Sequence, residues 1–313
     1  MIKPGEKYAL LTFDTESDMG SWTQEYTSIE KALPLIDDVL QSRKIRSTFF
    51  WEGVAALLAP HMVKRLFDAG HEIGAHSYKH ETLGDVTYSI PGDRAILPEE
   101  VPNRIRRNTE ILTKITGENP VSFRAPRLWG SGELNRILES LGFLIDSSYP
   151  ISSETCNLFP YHSDYNNWAV EGDSKILEMP LAAIFGEMLD VVSEELRAFG
   201  EEFKIDPESH CINQWPILRL FGENALISFL EPFIELQMAQ RGCSIVNIYL
   251  HPWEFIPMRG VLTGIEARIE LSRTLHENCG EKTLAAMDTF IGIMQDKGFK
   301  FVTTSELYRI WES

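Results

Sequence analysis

The sequence predicts an α/β fold in which a mostly parallel sheet closes into a (β/α) barrel, and three observations carry that reading. Eight strand-like apolar segments alternate with helical ones along 313 residues. Five residues with chemistry to offer, Asp14, His76, Arg124, Asp146 and His251, each fall at the C-terminal end of a different strand. Those ends converge on one mouth in a barrel, whereas a doubly wound sheet gathers them at a single switch point. The chain also shows no internal repeat and no low-complexity linker, so 1–313 reads as one domain.

In chain order, residues 8–13 are apolar and form the first strand. Residues 27–44 carry Ile29, Leu33, Ile36, Val39 and Leu40 at helical spacing. A second strand, 46–51, precedes a helix through 61–69 that stops at Gly70. Residues 71–75 are the third strand. Helix 98–116 ends at Gly117 and leads to strand 121–125, and helix 132–141 ends at Gly142 and leads to strand 143–147. Strands 175–181, 244–250 and 299–303 complete the set, with helices at about 223–240 and 282–297. Turn-rich residues 84–97, polar and aromatic residues 151–173, and a stretch 186–240 that opens with the acidic run 186–207 exceed a minimal barrel. They are expected as insertions, the first two as rim loops beside the mouth.

Composition narrows the partners. Hydrophobic residues make up 43%, enough for a large core. Lys plus Arg number 29 against 46 Asp plus Glu, and the net charge of -17 repels nucleic acid, anionic membranes and anionic cell-wall polymers. Cys156, Cys211, Cys243 and Cys279 lie far apart without a C-x-x-C pair, so they are expected as buried free thiols. No apolar run approaches a membrane span, and residues 1–7 carry neither an apolar signal region nor a small-residue cleavage site. The expectation is a soluble cytoplasmic protein, with self-association left open.

The most telling stretch is Gly74-Ala75-His76-Ser77-Tyr78-Lys79-His80. An i, i+4 spacing puts both imidazoles on one face of a helical turn, where they can share a metal ion. Asp14-Thr15-Glu16, at the end of the first strand, offers carboxylates for a third ligand. Two histidines and one carboxylate around an open position suit a hydrolytic, zinc-type site. His pairs at this spacing also arise on solvated helices. His71 reads as a packed, hydrogen-bonded residue, and His61, His162, His210 and His276 as surface or structural ones.

Taken in order, five segments resemble the motifs of polysaccharide deacetylases with a NodB homology domain, carbohydrate esterase family 4. They are Thr12-Phe13-Asp14-Thr15-Glu16, His76-Ser77-Tyr78-Lys79-His80, Arg124-Ala125-Pro126, Asp146-Ser147-Ser148-Tyr149 and Tyr249-Leu250-His251-Pro252-Trp253-Glu254. The resemblance runs from about residue 8 to 305, and its variant motifs are similar to a branch with cytoplasmic peptidoglycan-deacetylase-like members. It implies a distorted (β/α) barrel of the NodB type and a metal-dependent hydrolase of non-peptide carbon–nitrogen bonds. Position by position it implies Asp14 as catalytic base, Glu16, His76 and His80 as metal ligands, and Arg124 as the residue that orients the base. Asp146 would tune base and acid, and His251 would be the general acid. The family's adjacent aspartates are spaced differently here, which leaves the division of labour among Asp14, Glu16 and Asp18 open. Arg127 stands where the family has an aromatic residue, implying a changed substrate edge.

Elementary chemistry runs alongside. A divalent ion, zinc first with cobalt or another as alternatives, polarises an acyl carbonyl and acidifies water. Amide hydrolysis also needs a base for the water's proton and an acid for the departing amine. Backbone N–H groups after Pro126 are expected to help hold the oxyanion. The structural alternatives are that Asp146 caps a turn, Arg124 is an ordinary ion-pair partner and Trp253 is core. The expected substrate is an N-acetylated sugar or polysaccharide. The rivals are a formamido sugar or cyclic amide, as in allantoinase-like relatives, and a catalytically silent sugar-binding protein.

Overall fold

A long first strand sets the frame. In the computed structural model, which describes residues 2–20, 23–84, 95–151, 157–194, 196–198, 211–263 and 268–313, β1 (Lys7–Thr15) is buried along almost its whole length. Parallel neighbours follow on its far edge in chain order: β2 (Thr48–Trp51), β3 (Glu72–Ala75), β4 (Ser122–Phe123) and β5 (Ile145–Asp146). The short β6 (Tyr161–His162) comes next in sequence but lies outermost, antiparallel to β7 (Leu177–Glu178), which pairs with β5. A hairpin of β8 (Ala183–Phe185) and β9 (Cys211–Asn213) precedes β10 (Ser244–Leu250), which covers the other edge of β1. A second small hairpin, β11 (Val261–Thr263) and β12 (Arg268–Glu270), precedes β13 (Lys300–Phe301). β13 pairs with Tyr8 and Ala9, and β2 with residues 12–15, so the two share one edge of β1 in succession.

All eight expected strands are present, several shorter than the apolar runs suggest. The curled sheet matches a distorted (β/α) barrel in a single domain, and its distortion is local. β7 and β10 form no ladder among the described residues. The seam is closed by one backbone bond, from the Ala182 N–H to the Asn247 carbonyl at 2.9 Å. The Asn247 side-chain amide reinforces it, donating to Ser147 Oγ and to the Met179 carbonyl, each at 2.9 Å.

Alternation along the strands sorts the side chains. Phe13 faces the helices, stacked on Phe49 at 4.8 Å and tilted against Phe255 at 6.2 Å. Thr12 and Asp14 face the barrel axis, where both meet Arg124. One hydrophobic cluster extends from Tyr8 to Leu307, so the helical layer and the sheet share a single core.

Three helical expectations need correction. Residues 27–44 form two helices, Thr27–Lys31 and Leu33–Ser42, because Pro34 lacks an N–H and suits only a first turn. A short helix Gly53–Leu58 and the capped C-terminal helix Thr304–Glu312 were not among the expected helices. Residues 157–174 are more than a rim loop. Tyr161 donates to the Trp168 carbonyl at 2.8 Å, Asp164 accepts from the Asn166 and Asn167 N–H groups, and His162 reaches Glu312 of the C-terminal helix. Most of 84–97 and residues 195 and 199–207, together with His210 and Cys156, lie outside the described residues, as does the Cys211 side chain. Cys243 is buried and Cys279 partly buried, both as free thiols.

The seam yields a test. Asn247→Ala removes two donors from a closure that has a single backbone bond. It should cost about 1–3 kcal/mol of unfolding free energy, measured by urea titration. A loss within error of zero would show that the seam does not depend on this side chain.

Candidate active site

The barrel interior holds a charged group that water does not reach. Arg124, just after β4, is fully buried. Its Nη1 donates to Asp14 Oδ1 and Thr12 Oγ1, each at 2.8 Å, its Nε to the Ser147 carbonyl at 2.7 Å, and its Nη2 to Ser147 Oγ at 2.8 Å. The guanidinium also lies 4.4 Å from the centre of the Phe50 ring. Four of the five N–H bonds of the planar fork are thus engaged. Asp14 is thereby held by one oxygen, and its other oxygen takes no hydrogen bond from the described residues.

Beside this pair the chain gathers Glu16, His76 and His80, with one ligand atom of each within 4.8 Å of the others. Glu16 Oε2 lies 2.5 Å from His80 Nε2 and 3.4 Å from His76 Nε2. The His76 Nδ1–H donates to the Arg124 carbonyl at 2.8 Å, which leaves the Nε2 lone pair facing the carboxylate. That buried Nε2 has no hydrogen-bond partner, as a metal-ligating nitrogen requires. Burial alone would raise the Glu16 carboxyl, but His80 and His76 hold it well below the ordinary range. Burial also lowers His80. A buried carboxylate and two imidazoles fit a divalent cation.

The histidine segment is not helical. His76 directly follows β3 and residues 77–80 form a turn in which Ser77 and His80 adopt left-handed φ of 59° and 52°. Glu81 makes that turn possible, accepting from Ser77 Oγ at 2.6 Å and from the Lys79 N–H at 2.8 Å. Both imidazoles converge through this turn, and the i, i+4 spacing was a correct signal for a different geometry.

His251, directly after β10, closes the other side. Its Nδ1 bonds Glu254 Oε1 at 3.0 Å, and its Nε2 lies 3.9 Å from Glu16 Oε1. Burial alone would lower this imidazole, but Glu254, Glu16 and Asp14 raise it above the ordinary value. The ring stacks on Trp253 and meets the edges of Trp215 and Tyr249.

Several expectations change at this level. Asp146 contacts neither Asp14 nor His251 among the described residues. Ser147 faces Arg124, so Asp146, one residue earlier, faces the other side of the sheet, beside Glu178 in the β5–β7 register. Its Oδ1 accepts from Ser148 Oγ, the turn-capping alternative. Asp18 is also removed from the chemistry: its carboxylate caps helix Thr27–Lys31, accepting from the Thr27 N–H at 2.9 Å and the Ser28 N–H at 3.0 Å. Arg127 donates to the His80 carbonyl at 3.0 Å, strapping the histidine turn to the loop after β4. The N–H groups of Leu128 and Trp129 close a tight turn onto Ala125 and Pro126, so they are spent as oxyanion donors. His71 is packed as expected, accepting from the Ser47 N–H at 3.1 Å and bonding Asp37, while His61 is exposed.

The sequence did not single out Trp215, Arg219, Glu52 or Glu178. Trp215 and Arg219 arrive from the segment after β9, which has no motif spacing relative to His251. Glu52 follows β2, accepts from the Tyr26 hydroxyl at 2.8 Å, and is pushed by burial up to about 7. Only its position at a strand end could have marked it.

Residues 2–145 match the family model of polysaccharide deacetylases. A peptidoglycan-N-acetylglucosamine deacetylase of Bacillus cereus is 34% identical over 116 residues, 37% of this chain and 34% of that protein. Chitin deacetylase 1 of Cryptococcus neoformans is 28% identical over 141 residues, 44% of this chain and 27% of that one. The matches thus span about a third of the length of these relatives. Among solved structures, one assigned to the polysaccharide deacetylases, from Mycobacterium smegmatis, is 17% identical with a TM-score of 0.60 over 98% of this chain and 90% of that one. It shows that the fold is shared along nearly the whole chain. The family that the ordered motifs resemble is the family these comparisons return.

The Asp146–Glu178 pair generates a pH prediction. Burial pushes Asp146 up to about 7 and Glu178 well above its ordinary value, with Asp146 adding to the latter. The folded pair therefore keeps a proton that an unfolded carboxyl releases above about pH 4. Folding takes up that proton, so the pair's contribution to stability falls as pH rises from about 4 through about 7. Urea unfolding at about pH 5 and pH 8 should show a larger drop in wild type than in Asp146→Asn. Equal drops would show that the pair is not the source.

Proposed function

We propose that this chain is a metal-dependent hydrolase that removes the N-acetyl group from an N-acetylated sugar or polysaccharide. The observation that carries the reading is the convergence of Glu16, His76 and His80 with an Arg124-held Asp14 and with His251 in one buried site. The named relatives act on peptidoglycan N-acetylglucosamine and on chitin, which supports an N-acetylated sugar as the substrate class.

Glu16, His76 and His80 would hold the ion, and two nitrogens with one carboxylate favour zinc. Bound there, a divalent ion supplies Lewis acidity toward the acyl carbonyl and the attacking water. Asp14 is the base. Arg124 holds one of its oxygens, leaving the second to accept the water's proton. His251 delivers a proton from Nε2 to the departing amine, which leaves as a neutral group. Glu16 is unsuited to the base role because His80 Nε2 already lies 2.5 Å from its carboxylate, with His76 Nε2 at 3.4 Å, in the arrangement of a ligand set.

Acetate release from N-acetylated and N-formylated amino sugars, with and without added zinc, tests the reading. His76→Ala and His80→Ala should each lose stoichiometric metal, and retention of the metal in both would remove the site. Asp14→Asn should keep the metal and lose about 10²–10⁴ in turnover, whereas Glu16→Gln should lose metal first. The opposite pattern would exchange the two roles. Formate without acetate release would reassign the substrate.

A further inference from the structure

His251 is oriented by a buried construction that reaches beyond the five motifs. Glu254, three residues on, is fully buried, as is the Arg219 side chain that faces it. Glu254 Oε1 collects three donors: the His251 backbone N–H at 2.9 Å, His251 Nδ1 at 3.0 Å and Trp215 Nε1 at 3.1 Å. Its Oε2 takes Arg219 Nε at 2.9 Å. Arg219 spends its remaining nitrogens on the carbonyls of Glu277, at 2.7 Å, and Thr274. A carboxylate engaged by four donors cannot rotate without leaving at least one of them unpaired in a dry site, and each such loss is costly.

We infer that Arg219 and Trp215, acting through Glu254, are positioning residues that hold the His251 ring with Nδ1–H turned inward and Nε2 turned to the reacting centre. The inference rests on the proposed hydrolase reading for its kinetic consequence and on geometry alone for its structural one. An ionised carboxylate accepts and does not donate, so Nδ1 must carry the proton that bridges it to Glu254. Nε2 is then the nitrogen on the Glu16 side. The plane of the ring is set separately, by stacking on Trp253 at 5.2 Å and 25°. The anchor comes from a distance. Arg219 begins its bonds on helix Ile217–Phe221 and ends them on the segment before helix Glu281–Asp296, so two outer elements fix one side chain at the mouth.

The chemistry of an amide replacement distinguishes this from simple packing. Glu254→Gln keeps the shape but can present an N–H to Nδ1, which favours the opposite tautomer and puts the proton on the wrong nitrogen pattern for the bridge. Trp215→Phe keeps an aromatic ring and removes one donor.

The test compares an N-acetyl amino sugar with an activated aryl acetate, whose leaving group needs no proton. Metal content is measured in each variant. Glu254→Gln should lower amide turnover by about 10²–10⁴ and ester turnover far less, at unchanged metal. Trp215→Phe should lower amide turnover about 3–10-fold. Arg219→Lys, which retains the charge, should recover part of the amide turnover lost in Arg219→Met. Proton NMR supplies the independent readout: a downfield Nδ1–H resonance of His251, absent from His251→Ala, should vanish in Glu254→Gln. Equal losses on both substrates, or a resonance that survives in Glu254→Gln, would overturn the inference. A wild-type protein that hydrolyses no amide would refute the hydrolase reading alone, because the resonance still decides the geometry.

Discussion

A single guanidinium ties the barrel to its chemistry. Arg124 lies in a fully buried position, where an unpaired charge would be prohibitively costly, so its partners are not optional. It reaches β1 through Thr12 and Asp14 and reaches the end of β5 through Ser147. Its own carbonyl receives His76 Nδ1–H. The residue that orients the proposed base therefore also selects the tautomer of a proposed metal ligand. Ser147, bound on one side to Arg124, receives the Asn247 amide on the other, which brings in β10 and the seam. Fold closure and site geometry are thus one network of hydrogen bonds.

Around that network the chain buries carboxylates and gives each a different fate by its neighbours. Asp14 is paired with Arg124 and Glu254 with Arg219, two dry ion pairs beside the ends of the neighbouring strands β1 and β10. Glu16 is surrounded by imidazoles instead of a fixed cation, which suits a ligand whose countercharge is an ion. Asp18 has backbone N–H donors and serves a helix end. Glu52, Asp146 and Glu178 have no cation in direct contact, and burial moves all three upward. The residue type is the same or nearly so. What differs is whether a cation, a helix end or only neutral hydroxyl and backbone donors stand next to the oxygens.

The excursion between β7 and β10 shows how an insertion can serve a site that the barrel alone does not complete. The chain leaves the sheet after Leu181, forms the β8–β9 hairpin, and returns with Gln214 donating to the Tyr249 carbonyl at 3.0 Å. Trp215 follows immediately and meets His251 edge-on at 5.6 Å. Its neighbour Arg219 then anchors Glu254. The insertion reads as an acidic, exposed stretch in sequence, yet its returning end is among the most buried parts of the mouth.

The amino-acid sequence by itself determined the order of strands, the strand-end placement of Asp14, Arg124 and His251, and the pairing of His76 with His80, because these follow from apolar period and local spacing. It also carried the alternation that sends Thr12 and Asp14 to one face and Phe13 to the other. Three things were decided only by tertiary structure. The turn at 77–80 replaced a helix because Glu81 stabilises left-handed residues there. Asp146 left the site because its strand register turns it toward Glu178. Arg219 and Trp215 entered it because the chain around helix Ile217–Phe221 meets Glu254 in the segment after β10, a proximity with no spacing signature in the chain. Local period fixes which way a side chain points along its own strand. What it meets there is set by residues dozens of positions away.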